Sequence, residues 1–166
     1  MKYKVIRKQN NSARCIVCGN QNKLSLNSRF YELENDELVS LFRSEDYHQS
    51  YPGRMHGGMA AAVLDELIGR TACIKDPDCW AVTVELTLKY KKPIPTEANL
   101  KAVARITRDT RKIFEGTGEL LLPDGSVAVS AWGKYMRMPV EKIAEEAFID
   151  SEWYLIEEED PKEIEI

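Results

Sequence analysis

The chain has 166 residues, 43% of them hydrophobic and 30% charged, with a net charge of −4. That is enough for one domain with a real core, and the composition is ordinary for a soluble globular protein. The acidic balance gives no electrostatic reason to expect a nucleic-acid partner, and no apolar run is long enough to span a bilayer. The start, MKYKVIRKQNNSARC, is basic but lacks the continuous apolar stretch of a secretory signal, so a cytoplasmic protein without membrane attachment is expected.

Residues 1–23 are polar and read as an irregular segment. From Leu24 an alternating pattern predicts a first strand that ends at the turn signal Glu34-Asn35-Asp36, with a return strand over Leu38 to Phe42. Asp46 to Gly53 reads as a loop closed by Pro52-Gly53. An apolar helix follows from about Gly57 to about Cys73. Beyond the Pro77 loop, strands are predicted over 82–90, 100–107, 113–122 and 127–136, with turns at Arg108-Asp109-Thr110-Arg111 and Pro123-Asp124-Gly125. Residues 140–149 read as a short amphipathic helix, and the acidic run from Glu157 to Glu163 reads as a mobile tail. Strands, one helix, then a run of strands argue for α+β, a single helix packed on an antiparallel sheet. The expected organisation is 1–23 as an N-terminal segment carrying the Cys15/Cys18 pair, 24–139 as the domain, and 140–166 as a short helix and acidic tail.

Chemistry concentrates at the entry to the predicted helix, His56-Gly57-Gly58, and at Asp65 two turns in. Unpaired N–H groups at a helix start favour negative charge, and placed against a carbonyl they can hold the oxyanion of an acyl-transfer step. Gly57 and Gly58 carry no side chain to block a ligand's approach. Around Asp65 the helical neighbours Ala61, Ala62 and Gly69 are small, while Met59, Val63, Leu64 and Leu67 form a bulky opposite face suited to a core. Asp65 is therefore the candidate to activate water or to attack directly. Glu66, with Arg70 four residues on, reads as a helical ion pair. His56 reads as a residue that positions the helix entry.

Four cysteines complete the inventory. Cys15 and Cys18 form CIVCG; the second pair, Cys73 and Cys79, is too widely spaced and too interrupted by Pro77 to complete a four-ligand zinc site. Free thiols and no bound metal are expected.

The segment HGGMAAAVLDELIG, the strand AVTVELTLKYKKP after it and the later RDTRKIFEGTGELLLPDGSVAVSAWGKY together resemble the hotdog-fold acyl-CoA thioesterases of the phenylacetate-pathway type. The likeness runs from about Leu24 to about Met138. It implies an antiparallel sheet wrapped around one long central helix, and hydrolysis of an acyl-CoA thioester with no cofactor beyond the coenzyme A of the substrate. It also implies a homodimer, with dimers able to pair into tetramers, and active sites at the subunit interface, where Asp65 from one subunit faces His56 and the glycines of the other. On this resemblance Asp65, Gly57, Gly58, His56 and Thr83 are the catalytic set, Thr83 holding the attacking water or the carboxylate. Relatives often carry Asn or Gln six residues before the histidine. This chain has Ser50 there, with Gln49 beside it as the substitute. Lys91, Lys92, Arg108 and Arg111 are the candidates for the coenzyme A phosphates. Two other functions fit the same fold: a non-catalytic acyl-CoA-binding protein and a hydratase or dehydratase.

Overall fold

The computed structural model describes residues 1–145 and 147–166. Its main sheet has eight strands, β1 (Lys2–Lys8), β3 (Arg29–Leu33), β4 (Leu38–Ser44), β7 (Ala81–Tyr90), β8 (Ala98–Asp109), β9 (Ile113–Leu121), β10 (Val127–Arg137) and β12 (Glu163–Glu165). They lie in the order β12-β1-β3-β4-β8-β9-β10-β7, and every neighbouring pair is antiparallel. Two short antiparallel pairs stand beside it, the hairpin of β5 (Gln49–Tyr51) with β6 (Arg54–Met55), and the long-range pair of β2 (Asn11–Ser12) with β11 (Trp153–Tyr154).

One long helix, α1 (Gly57–Arg70), lies across this sheet and is continued by a 3-10 turn over Thr71–Ile74. Ala60, Val63, Leu64, Leu67 and Ile68 are its fully buried apolar residues. Their spacing of three, one, three and one is the single stripe that an amphipathic helix turns to a core. They pack into one cluster with Phe30, Leu38, Ala102, Phe114, Leu120 and Val129 from the strands. Each leucine or isoleucine so buried contributes roughly 1.5–3 kcal/mol by transfer from water.

The outer face of the sheet has its own smaller cluster, Tyr31, Leu33, Val39, Val103, Leu121 and Ile164, with Tyr3 and Val5 against it. This explains why all five residues of β3 are buried: the alternate side chains of that strand each find a covered face.

The α+β architecture is the one expected, but the chain ends differ from expectation. Residues 1–23 are not simply irregular, because β1 joins the main sheet through β3 and β12. The mobile acidic tail is likewise replaced by an anchored one. Lys8 Nζ lies 2.9 Å from Glu158 and 2.7 Å from Asp160, Arg29 Nε lies 2.6 Å from Glu158, and Tyr31 donates to Asp160 at 2.9 Å. An acidic run looks solvated in a sequence when its basic partners lie more than a hundred residues away. The expected helix over 140–149 is a 3-10 turn at Val140–Lys142 and a single-turn helix α2 (Phe148–Ser151), with residue 146 outside the described residues. Phe148 packs on Trp80 and Trp153, so aromatic contacts hold this segment in place of a helical stripe. The first strand also begins later than its alternation suggested, at Arg29. Among the described residues no helix is long and apolar enough to cross a membrane.

Candidate active site

His56 is the N-cap of α1: its backbone is extended, and its Nδ1 accepts the Gly58 N–H at 2.8 Å. The ring therefore carries its proton on Nε2 when the cap is made. His56 is itself set by His48, whose carbonyl accepts the His56 N–H at 2.8 Å. The buried His48 ring is locked in turn between the Glu45 N–H on Nδ1 and the Leu24 carbonyl at Nε2, both at 2.9 Å.

This arrangement divides the two glycines. The Gly58 amide is occupied by its cap, and a Cβ there would meet His56 Nδ1 at 3.0 Å. The Gly57 amide has no partner among the described residues, while its carbonyl accepts the Tyr90 hydroxyl at 2.6 Å. Tyr90 thus fixes, from the other side, the same peptide unit whose N–H His56 caps. Of the two donors expected at the helix start, Gly57 is the one left free to meet a ligand.

Two turns along, Asp65 is half-buried and held by two hydroxyls. Thr83 of β7 donates to Oδ1 at 2.9 Å and lies 3.2 Å from Oδ2; Tyr135 of β10 lies 3.0 Å from Oδ1 and 2.9 Å from the Asp65 carbonyl. The Tyr135 ring is buried and stacks on Phe114 at 5.2 Å. Burial, followed by the charge of Asp65, pushes its hydroxyl up from the ordinary tyrosine value, so it remains a donor. The arrangement leaves Oδ2 as the less encumbered carboxylate oxygen.

Tyr135 was not among the expected site residues. Two glycines make room for it: a Cβ at Gly69 would meet its ring at 3.1 Å and one at Gly133 at 2.6 Å. The small residue Gly69 therefore receives a tyrosine, which corrects the expectation that the whole Gly/Ala face is open to a ligand. Glu66 forms the expected ion pair with Arg70, at 2.7 Å. The buried Arg70 guanidinium also sits 4.2 Å from the Phe30 ring and 4.8 Å from Trp153, and donates to the Asn10 carbonyl at 2.7 Å. Burial works against that charge, but Glu66 outweighs it and holds Arg70 above its ordinary value.

Asp65 and Gly57 open into different clefts. Asp65 and Thr83 line one of about 370 Å³, together with Tyr135, Cys15, Trp80 and Trp153. Gly57 lines another of about 410 Å³ with Ser50, Tyr90, Lys91 and Lys92. Gln49 is exposed on β5 and belongs to neither cleft. The basic candidates are also divided. Lys91 and Lys92 follow the Tyr90 end of β7, whereas Arg108 and Arg111 flank the β8–β9 turn beside its Ala81 end. Ten residues of strand put these ends about 30 Å apart. Arg108 is mostly exposed and 3.5 Å from Glu115. One chain alone does not gather the four cations.

Residues 52–129 match the family model described as Thioesterase superfamily. The chain is 27% identical over 114 residues to the acyl-coenzyme A thioesterase THEM4 of Mus musculus, covering 68% of this chain and 48% of that protein. It thus spans about half the length of that curated relative. Among solved structures it is similar to the E. coli PaaI protein of the phenylacetic acid degradation operon, with a TM-score of 0.61 at 17% identity, over 68% of this chain and 80% of that one. A phenylacetic acid degradation-related protein of Ralstonia eutropha JMP134 aligns with a TM-score of 0.60 at 24% identity, over 67% of this chain and 85% of that one.

Proposed function

We propose that this protein, whose residues 52–129 match the Thioesterase superfamily model and whose fold is similar to that of the PaaI protein, hydrolyses the thioester bond of an acyl-CoA to the free acid and coenzyme A. The observation that carries the reading is the pair of donors on Asp65, a residue that lines the cleft, on the same helix as the unpaired Gly57 amide.

The reaction requires a site shared between two subunits. Gly57 and Asp65 are eight residues apart, about 12 Å along a helix, and they open into separate clefts. A thioester cannot have its oxygen on one and its carbon attacked from the other in the same chain. β7 supplies the remedy, being a ten-residue edge strand with Val84 and Tyr90 more than half exposed. Such an edge calls for a partner. Antiparallel pairing of two β7 strands about a twofold axis sets the Ala81 end of one against the Tyr90 end of the other. Asp65 and Thr83 of one subunit then face the partner's Gly57, and Arg108 and Arg111 come to the same side as the partner's Lys91 and Lys92, where phosphates of coenzyme A can be held. Pairing of dimers into tetramers is compatible with this arrangement.

In this site the Gly57 N–H donates to the thioester oxygen and stabilises the negative charge that develops on it. Asp65 Oδ2 takes a proton from water as the water oxygen bonds to the carbonyl carbon. Collapse of the tetrahedral intermediate breaks the C–S bond, and the departing thiolate takes up a proton. No metal or cofactor enters these steps. The free cysteines suit a reducing, cytoplasmic compartment. The test is release of free coenzyme A, read with a thiol reagent, from a panel of aryl and straight-chain acyl-CoAs. Turnover with at least one is expected; binding without release throughout would leave a non-catalytic binder, and addition of water across a double bond of the acyl chain would mark a hydratase.

A further inference from the structure

The four cysteines are free, but their environments divide them into unlike pairs. Cys15 and Cys18 lie on one turn, closed by the Gly19 N–H donating to the Cys15 carbonyl at 2.9 Å. The turn brings both sulfurs and a Glu66 oxygen within 4.8 Å of one another. Cys15 is half-buried and lines the Asp65 cleft, while Cys18 is fully buried behind it. Amides and a cation surround the two sulfurs: the Val17 N–H reaches Cys15 Sγ at 3.3 Å, and the Ser12 N–H and Arg70 Nη2 reach Cys18 Sγ at 3.4 Å. At Cys15 such a donor favours thiolate character and hence nucleophilic sulfur, against the neighbouring Glu66 carboxylate. Cys73 is the contrast, its own S–H donating to the Cys79 carbonyl at 3.3 Å and burial pushing its thiol up to about 11.

A cation could be imagined among Cys15, Cys18 and Glu66, but Arg70 already lies 2.7 Å from Glu66 and 3.4 Å from Cys18. Its fixed charge already neutralises the Glu66 carboxylate that a metal would use. Three ligands are also one short of a closed zinc site.

We propose that Cys15 and Cys18 form a reversible dithiol–disulfide pair, with the accessible Cys15 as the attacking thiol and the buried Cys18 as the resolving one. The hydrogen bond from Cys18 holds the Cys15 thiol below its ordinary value against burial and the Glu66 charge, and Cys18 is pushed the other way. The oxidant class is a low-molecular-weight disulfide, RSSR. The Cys15 thiolate, its proton given to solvent, attacks one sulfur of RSSR, forming Cys15–S–S–R and releasing RS⁻. Cys18 then loses its proton to that RS⁻ and attacks the Cys15 sulfur, expelling the second RS⁻, which is protonated from solvent. Two protein thiols are oxidised and RSSR is reduced to two RSH. The pair belongs to none of the catalytic steps above and stands apart from them. Closing it removes the hydrogen bond that Cys15 donates to Glu66 at 3.1 Å, beside Asp65.

The full-length protein is incubated with excess oxidised glutathione, blocked with iodoacetamide and read by intact mass and peptide mapping. The wild type should lose two hydrogens, yield a Cys15–Cys18 linked peptide, and return to the dithiol in reduced glutathione. Cys18→Ser should stop at a glutathione adduct on Cys15, and Cys15→Ser should form neither that disulfide nor an adduct on Cys18. The proposal is overturned if both wild-type thiols remain free, if adducts accumulate without the internal bond, or if only Cys73 and Cys79 join. Should a variant fail to fold, the wild-type arm decides alone.

Discussion

The hydroxyl of Tyr135 lies 3.0 Å from Asp65 Oδ1 and 2.9 Å from the carbonyl oxygen of the same residue, so one side chain of β10 fixes both the backbone and the carboxylate of Asp65. Tyr135→Phe keeps the stacked ring and removes the donor. Turnover should fall about tenfold while stability drops by about 1 kcal/mol, the ordinary worth of one hydrogen bond. Steady-state rates and a denaturant titration on one preparation check this; unchanged turnover would show that Asp65 needs no second donor.

Gly58 serves the helix cap, and in the proposed reaction Gly57 meets the thioester oxygen. Gly58→Val places its side chain against His56 Nδ1, where even a Cβ stands at 3.0 Å. Losing the cap costs about 1 kcal/mol, but a shifted Gly57 amide should cost activity on the scale of a lost oxyanion donor, about 3 kcal/mol. Melting temperature and turnover measured together decide it. A folded and fully active variant would reduce His56-Gly57-Gly58 to a turn.

Much of this site was legible in the sequence for a physical reason: the helix stripe, the glycines and the strand alternation are local patterns. The Asp65–Thr83 contact came only from the family resemblance, since eighteen residues and a loop lie between them. Tyr135 was hidden because it reaches Asp65 across the core from a strand seventy residues on. The β1–β12 pairing and the anchoring of Glu158 were hidden for the same reason. The pairing of Asp65 with the glycines of another subunit likewise came only from the family resemblance; its physical reason is helix length, since eight residues span about 12 Å.

The acidic tail should carry a pH signature. Burial raises the Glu158 pKa, but hydrogen bonds and charge from Lys8 and Arg29 outweigh it, so the folded value lies below the unfolded one. Stability from this group is therefore present above the unfolded pKa and lost as pH falls through the folded pKa. Glu158→Gln should lower the melting temperature at pH 7, and the difference from wild type should shrink as the pH falls below the ordinary glutamate range. A difference unchanged across that range would mean that these ion pairs do not hold the tail.

Sharing of the site between subunits predicts complementation. Gly57→Val and Asp65→Asn homodimers should each be nearly inactive. Unfolding them together and refolding should create mixed dimers with one intact site and restore turnover. Failure to restore any activity, with mixed dimers demonstrated by mass, would place Gly57 and Asp65 in the same chain's site.

The most direct measurement compares Asp65→Asn with Glu66→Gln for free coenzyme A release from the best acyl-CoA, with melting temperature and oligomeric state recorded for both. Asp65→Asn should stay folded and dimeric and lose roughly a hundredfold or more in turnover, whereas Glu66→Gln should remain within a few-fold of wild type because its carboxylate is committed to Arg70. Near-normal turnover of Asp65→Asn would contradict the account.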